Sequence, residues 1–186
     1  MERVEVHYYD RPGPDNTDDV IATAAARAKA LGIKQAVVAT SHGGTALKAR
    51  EAFPKDVRVI AVTHSASYYR EGWTPTPEER ERMARAGLQI LTTMHALAND
   101  VSEAMCGEAW PPNRIVCETL SCFSQGMKVA VEISVMAAEA GLLDMRSEVI
   151  AIGGTDKGAD TAVVLQPTYA RDFRQFKVHE ILAMPR

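Results

Sequence analysis

Three short apolar runs separated by helix-like segments constrain the fold of this chain more than any single motif. The runs are Ala36–Thr40, Val57–Thr63 and Leu88–Thr93. Ala36–Thr40 is continuous rather than alternating in polarity, as a strand covered on both faces must be, Val57–Thr63 reads as another buried strand, and Leu88–Thr93 follows as a strand. Between them, Thr45–Phe53 reads as a helix that Pro54 ends. The next helix opens on Thr76 as N-cap, with Pro77 at the first helical position and Glu79 at the third, and closes at Gly87. That is a capping box. Strands spaced by helices of this length predict a mostly parallel sheet covered on both sides, an α/β fold.

The same pattern extends in both directions. Val4–Tyr9 reads as a first strand. Asn16 is placed to cap a helix carrying Asp19 at its third position, with Val20, Ile21, Ala24, Ala28 and Leu31 as its apolar stripe and Gly32 as its stop. Toward the other end, Glu148–Gly153 and Thr161–Gln166 flank a glycine-rich turn, and Phe176–Met184 reads as a last strand. One segment is ambiguous. Val129, Val131, Ile133 and Val135 alternate as a strand would, yet Val129, Ile133, Met136, Ala137 and Ala140 also form a helical stripe ending at Gly141. The helix is the preferred reading. Breaks at Arg11–Pro14, Gly72–Pro77 and Gly107–Asn113 suit surface loops but not interdomain tethers, so residues 1–186 are expected to form a single domain.

Size and charge narrow the function. The chain has 186 residues, whereas a (β/α)₈ barrel typically needs about 250. A formal net charge of −3 with no basic run gives no footprint for nucleic acid. The first residues, Met-Glu-Arg-Val-Glu-Val, lack the apolar stretch of a signal peptide, and no apolar run is long enough for a membrane helix. Cys106, Cys117 and Cys122 lack CxxC spacing, and no HExxH or equivalent ligand set suggests a metal. A cytoplasmic protein with neither nucleic-acid nor membrane partners is expected; self-association into a homo-oligomer is left open.

In an open parallel sheet, ligands gather beyond the carboxyl ends of the strands. Thr40-Ser41-His42-Gly43-Gly44-Thr45-Ala46 lies at such an end, before a helix. Its glycines admit close approach, its N–H groups favour an anion and its hydroxyls add donors, so phosphate is the natural occupant. The alternative is a tight turn in which Ser or Thr caps the helix. His64 follows the next strand and His95 the one after; either could be a ligand-facing acid or base, or an ordinary loop histidine. Gly153-Gly154-Thr155-Asp156-Lys157-Gly158-Ala159-Asp160-Thr161 concentrates glycines and two aspartates, which either meet ligand hydroxyls and ring N–H groups or brace the turn. Gly126 and Lys128 open the ambiguous segment, and Glu132 stands one turn beyond Lys128. Such an i, i+4 pair is ordinarily solvated, but on so apolar a helix it has the alternative of facing a cavity. No arrangement of Ser, His and Asp, or of Cys and His, points to covalent catalysis.

The stretch VVATSHGGTALKAREAFPKDVRVIAVT resembles the strand–loop–helix–strand unit of the pyruvate kinase C-terminal α/β domain. More widely, the chain is similar to small stand-alone pyruvate kinase α/β-domain-like proteins of archaea and bacteria. The shared features are PGPDNT, TSHGGTALKA, YREG at Tyr69–Gly72, GMKVAVEISVMAAEAGLL, GGTDKGADTAVVLQP and the closing MPR. The resemblance implies a three-layer α/β/α sandwich with a mixed, mostly parallel sheet. It also implies that the protein is not a pyruvate kinase, since the catalytic barrel has no counterpart.

Members of the stand-alone group look like binders of flavin mononucleotide (FMN). Carried onto this chain, the resemblance gives the phosphate to Thr40, Ser41, Gly43, Gly44, Thr45 and Ala46. It sets Thr63, with His64, at the adjacent strand end and the ring or ribityl chain against Gly153–Thr161, and it assigns His42 no role. With aromatic residues only 6% of the chain, a flavin ring is expected to lean on glycine-rich loops and aliphatic surface. A phosphorylated-ligand binder, most directly for FMN, is the leading function. One alternative is a flavin-dependent oxidoreductase or another enzyme of small phosphorylated substrates, with His64, His95 or Lys128 as acid or base. The other is a regulatory module responding to a sugar phosphate.

Overall fold

In the computed structural model, which describes residues 3–107 and 109–186, the three apolar runs become neighbouring strands of a seven-stranded sheet, the last of them at its edge and only partly buried. The strands are β1 His7–Tyr9, β2 Gln35–Ala39, β3 Arg58–Thr63, β4 Gln89–Thr92, β5 Val149–Gly153, β6 Thr161–Gln166 and β7 Lys177–Pro185. Their order is β1-β7-β6-β5-β2-β3-β4. β2, flanked by β5 and β3, is buried except at its last residue, and β3 except at its first. That explains why their sequences never alternate. The pairings β1–β7, β5–β2, β2–β3 and β3–β4 are parallel, and β6 alone runs against its neighbours. The mixed sheet expected from the resemblance is therefore present, and its carboxyl ends collect on one edge.

Helices α1 Thr17–Leu31, α2 Gly44–Ala52 and α3 Pro77–Arg85 cover one face. Helices α5 Pro112–Ser121 and α6 Gln125–Glu139 cover the other, with the six-residue α4 Val101–Cys106 just before them. Side chains such as Ile60, Ile150, Ile152 and Leu182 are almost wholly buried, each contributing roughly 1.5–3 kcal/mol by leaving water. α3 begins with the expected capping box: the Glu79 N–H donates to Thr76 Oγ1, and the Thr76 N–H to Glu79 Oε2. The ambiguous segment is helical. α6 lies between the sheet and α5, with apolar side chains buried nearly all round it, and this masks the period of 3.6.

Several details depart from the sequence expectations. β1 starts at His7 rather than Val4, because it is an edge strand paired with β7 over three residues, and Val4 is exposed. Asn16 precedes α1 but does not cap it through its side chain; a 3₁₀ turn at Pro14–Asn16 leads in, and Asn16 Nδ2 donates to the Arg11 carbonyl. Asp19 instead accepts from Tyr9 Oη at 2.7 Å and pairs with His7 at 2.8 Å. Leu31 falls off the buried stripe, while Val20, Ile21, Ala24 and Ala28 hold to it. The break at Gly107–Asn113 joins α4 to α5, although Pro112 already starts a helix; Glu108 lies outside the described residues, as do Met1 and Glu2.

The amino end of α6 lies hard against the sheet. A Cβ on Gly153 would run into the Gly126 carbonyl oxygen, and one on Gly126 into the Asp160 and Thr161 side chains. Neither position has room to yield. Gly153→Ala should therefore cost about 1–3 kcal/mol, read as a lowered midpoint in denaturant unfolding; an unchanged midpoint would contradict this packing.

Candidate functional site

A cavity of about 640 Å³ opens at the carboxyl ends of β2, β3 and β5, within the range of small-molecule sites. Its first wall is the turn into α2. The polypeptide turns sharply at Gly43, whose φ is +89°, and a Cβ there would come within 2.8 Å of the buried Met83 side chain. Only glycine fits. Within the turn, the Gly43 N–H donates to Thr40 Oγ1 at 3.0 Å, and the Leu47 N–H returns to the Gly43 carbonyl at 2.9 Å. No side chain caps α2. Its first N–H groups, at Gly44, Thr45 and Ala46, therefore point out at the positive end of the helix dipole, and Gly44 and Thr45 line the cavity beside Thr40 and Ser41. The alternative considered above, with a Ser or Thr side chain as the cap of this helix, is not what the turn adopts.

The second wall comes from the segments after β3 and β4. Thr63 lines the cavity, but its hydroxyl is engaged within the fold, 2.6 Å from Thr92 Oγ1, which in turn accepts from Arg80 at 2.8 Å. Beyond it, His64, Tyr68, Trp73 and His95 form one cluster. The Tyr68 and Trp73 rings stack at 5.3 Å and 11°, and Tyr68 and His95 at 5.6 Å and 15°. His64 tilts against all three. Sparse as aromatic residues are, two of them, Tyr68 and Trp73, gather with two imidazoles on this wall. Tyr68 and Trp73 were missed because they belong to no periodic element: one lies in a short 3₁₀ turn and the other in the GWTPTP loop. The cluster exists only once the β3 and β4 ends are neighbours.

α6 supplies the third wall. Lys128 and Glu132 both line the cavity, 3.3 Å apart, with side chains only 15% and 5% exposed. The pair thus takes the second of the two settings its spacing allowed. Glu132 Oε1 also accepts the Leu97 N–H at 3.0 Å, which holds the segment after β4, and with it His95, across the cavity. The Cys117 thiol and the Asn113 amide secure the Leu97 carbonyl from α5.

The last wall is the β5–β6 turn, which divides its residues between two tasks. Gly154, Asp156 and Gly158 line the cavity, together with Lys157. Gly153, Thr155, Ala159, Asp160 and Thr161 do not; they stand behind it, with Gly126. Asp160 is fully buried, and its carboxylate accepts from the Gly13 and Thr155 N–H groups at 3.0 Å and from Thr161 Oγ1 at 2.9 Å. It braces the turn. Gly43 and Ala46 likewise support the wall from behind, while His42 lines the cavity with its Nδ1 paired to Glu79 at 2.9 Å.

A second hollow, of about 530 Å³, lies at the opposite edge beside Gly32, Lys34, Gln35 and Arg58. Its central amide is committed to the fold: Gln35 donates to the Asp144 and Ser147 carbonyls and accepts from the Asp144 N–H. The carboxyl-end cavity is the better site on chemistry. Among the described residues no cluster of three or more His, Cys, Asp or Glu side chains forms a metal set, and no helix is long and apolar enough to cross a membrane.

Fold and cavity together define an α/β domain with a ligand-sized cleft at the carboxyl ends of its parallel strands. The chain belongs to the pyruvate kinase alpha/beta domain family, whose model matches residues 18–165. Similar solved structures include a pyruvate kinase from Cryptosporidium parvum, at 15% identity over 82% of this chain and 23% of that one, with a TM-score of 0.44. Another structure of the enzyme from that organism gives 14%, 85%, 23% and 0.43. A third, a complex with ADP, gives 14%, 88%, 24% and 0.41. The chain spans less than a quarter of the length of these enzymes, so it matches a domain and not a whole pyruvate kinase.

Burial holds both cavity histidines below the ordinary imidazole range; a proton on His95 would oppose one on His64, and the Lys128 ammonium lowers both against the opposing pull of Glu132. Both rings are neutral at pH 7. An unfolded chain takes up these protons first, so their contribution to stability is complete above about pH 6.5 and declines below it. Proton NMR titration should give both rings midpoints below that of a free histidine. Midpoints at or above it would contradict the burial described here.

Proposed function

We propose that this domain binds a phosphorylated small molecule bearing a flat ring, FMN first among them. The uncapped start of α2, opening on a cleft that also carries a ring-stacked wall, is the observation that supports the reading. A phosphate meets N–H donors and helix dipole at Gly44 and Thr45, with the hydroxyls of Thr40, Ser41 and Thr45 beside it. Lys157 adds a positive charge at the rim. Tyr68 and Trp73 offer a face for stacking, and the Gly154–Gly158 backbone offers polar contacts for a chain between phosphate and ring. These residues fit the flavin that the family resemblance implies. A bound flavin would supply hydride or single-electron transfer.

The two neutral imidazoles beside the ring wall favour a second reading, an oxidoreductase in which His64 or His95 moves a proton. Consumption of reduced nicotinamide by the FMN-loaded protein would distinguish an enzyme from a binding module. Either reading goes with a cytoplasmic setting.

Protein purified without added ligand and titrated with FMN should bind it in the micromolar range. A colourless preparation with no such affinity would sink the flavin reading, and thermal stabilisation by fructose bisphosphate but not FMN would favour the regulatory module. Gly44→Val is the sharper probe. A Cβ at Gly44 meets nothing within 4 Å, so the fold should stand while the side chain fills the space before the free N–H groups. A loss of about tenfold or more, roughly 1.4 kcal/mol, is expected; unchanged affinity would refute the phosphate assignment.

A further inference from the structure

Neither the phosphate turn nor the ring wall accounts for the buried pair on α6. Ion pairs taken out of water are a poor source of stability, because desolvation offsets their attraction. This pair also lies in a cavity wall rather than in the core. Glu132 is fully committed, one oxygen to the Leu97 N–H and the other to Lys128. Lys128 is not. An ammonium carries three N–H donors, and among the described residues Glu132 is the only hydrogen-bond partner of Lys128. Two donors are left on an ammonium only 15% exposed, on the wall of a ligand-sized cleft. His64 and His95, their rings 5.6 Å apart, are near enough to act electrostatically with Lys128, and as neutral rings they do not compete for an anion's charge.

We propose that Lys128 is a second polar subsite, which takes an electron-rich oxygen, carbonyl or carboxylate, on a part of the ligand other than its phosphate. Glu132 is its positioning residue: it fixes the ammonium and, through Leu97, closes the segment after β4 over it. The domain would thus select ligands with two polar ends and a flat ring between them, over simple sugar phosphates. The proposal rests on the phosphorylated-ligand reading above and names the second group that site recognises. For FMN, the carbonyl oxygens of the isoalloxazine are such a group.

Calorimetric titration with two probes, FMN and inorganic phosphate, tests it. Lys128→Met combined with Glu132→Gln removes both charges, while the glutamine oxygen still accepts from Leu97. The variant should lose FMN affinity by about tenfold and keep phosphate affinity within about twofold. If it does not fold by thermal melting, Lys128→Gln alone serves for the same measurement. Unchanged FMN affinity would overturn the proposal alone. Equal loss for both probes would overturn it too, by assigning Lys128 to the phosphate. A wild-type protein that fails to bind FMN would bring down the flavin reading, and this proposal with it.

Discussion

The buried carboxylate of Asp160 ties together the edge of the sheet on which everything functional depends. It is fully enclosed and receives donors from three places: the loop before α1, the β5–β6 turn and the first residue of β6. A carboxyl group is tolerated there because those hydrogen bonds replace its water. The Thr161 hydroxyl that serves it also meets Ser124, the N-cap of α6, at 2.9 Å. One buried side chain thus links the chain's early loop, the glycine-rich turn and the amino end of α6.

Close backbone approach completes that knot. Gly126 and Gly153 let α6 sit directly on the end of β5, which carries Lys128 and Glu132 to the cavity from the face opposite α2. The uncapped turn of α2 comes from the other helical layer. The cleft is therefore a seam between layers, floored by strand ends, and its parts have no fixed relation until the knot forms.

This division sets how much was legible in the sequence. The strands β2, β3 and β5 could be read because both faces are covered and their apolar runs are unbroken. α3 could be read from its capping chemistry. The direction of β6 was also within reach: residues 154–160 are too few for a crossover, so the chain must turn straight back. α4 went unread although Asp100 caps it, accepting from the Glu103 N–H at 2.8 Å; six residues give too short a period to notice. At the site, the Thr40–Ala46 turn announced itself because its chemistry is local. Tyr68, Trp73 and the orientation of Lys128 did not, since each depends on which strand ends become neighbours. Asp160 shows the same limit from the other side: an aspartate in a glycine-rich turn looks like a ligand contact until its donors are seen to come from the fold.

The central claim is that the free N–H groups at the start of α2 receive a phosphate while the ring wall receives the remainder of the ligand. Amide-resolved ¹⁵N–¹H spectra recorded during an FMN titration test it most directly. The account predicts that the largest shifts fall on Gly44, Thr45 and Ala46 and on the amides of Tyr68 and Trp73. Shifts confined to the opposite edge, around Lys34 and Arg58, or a spectrum that FMN leaves unmoved, would contradict it.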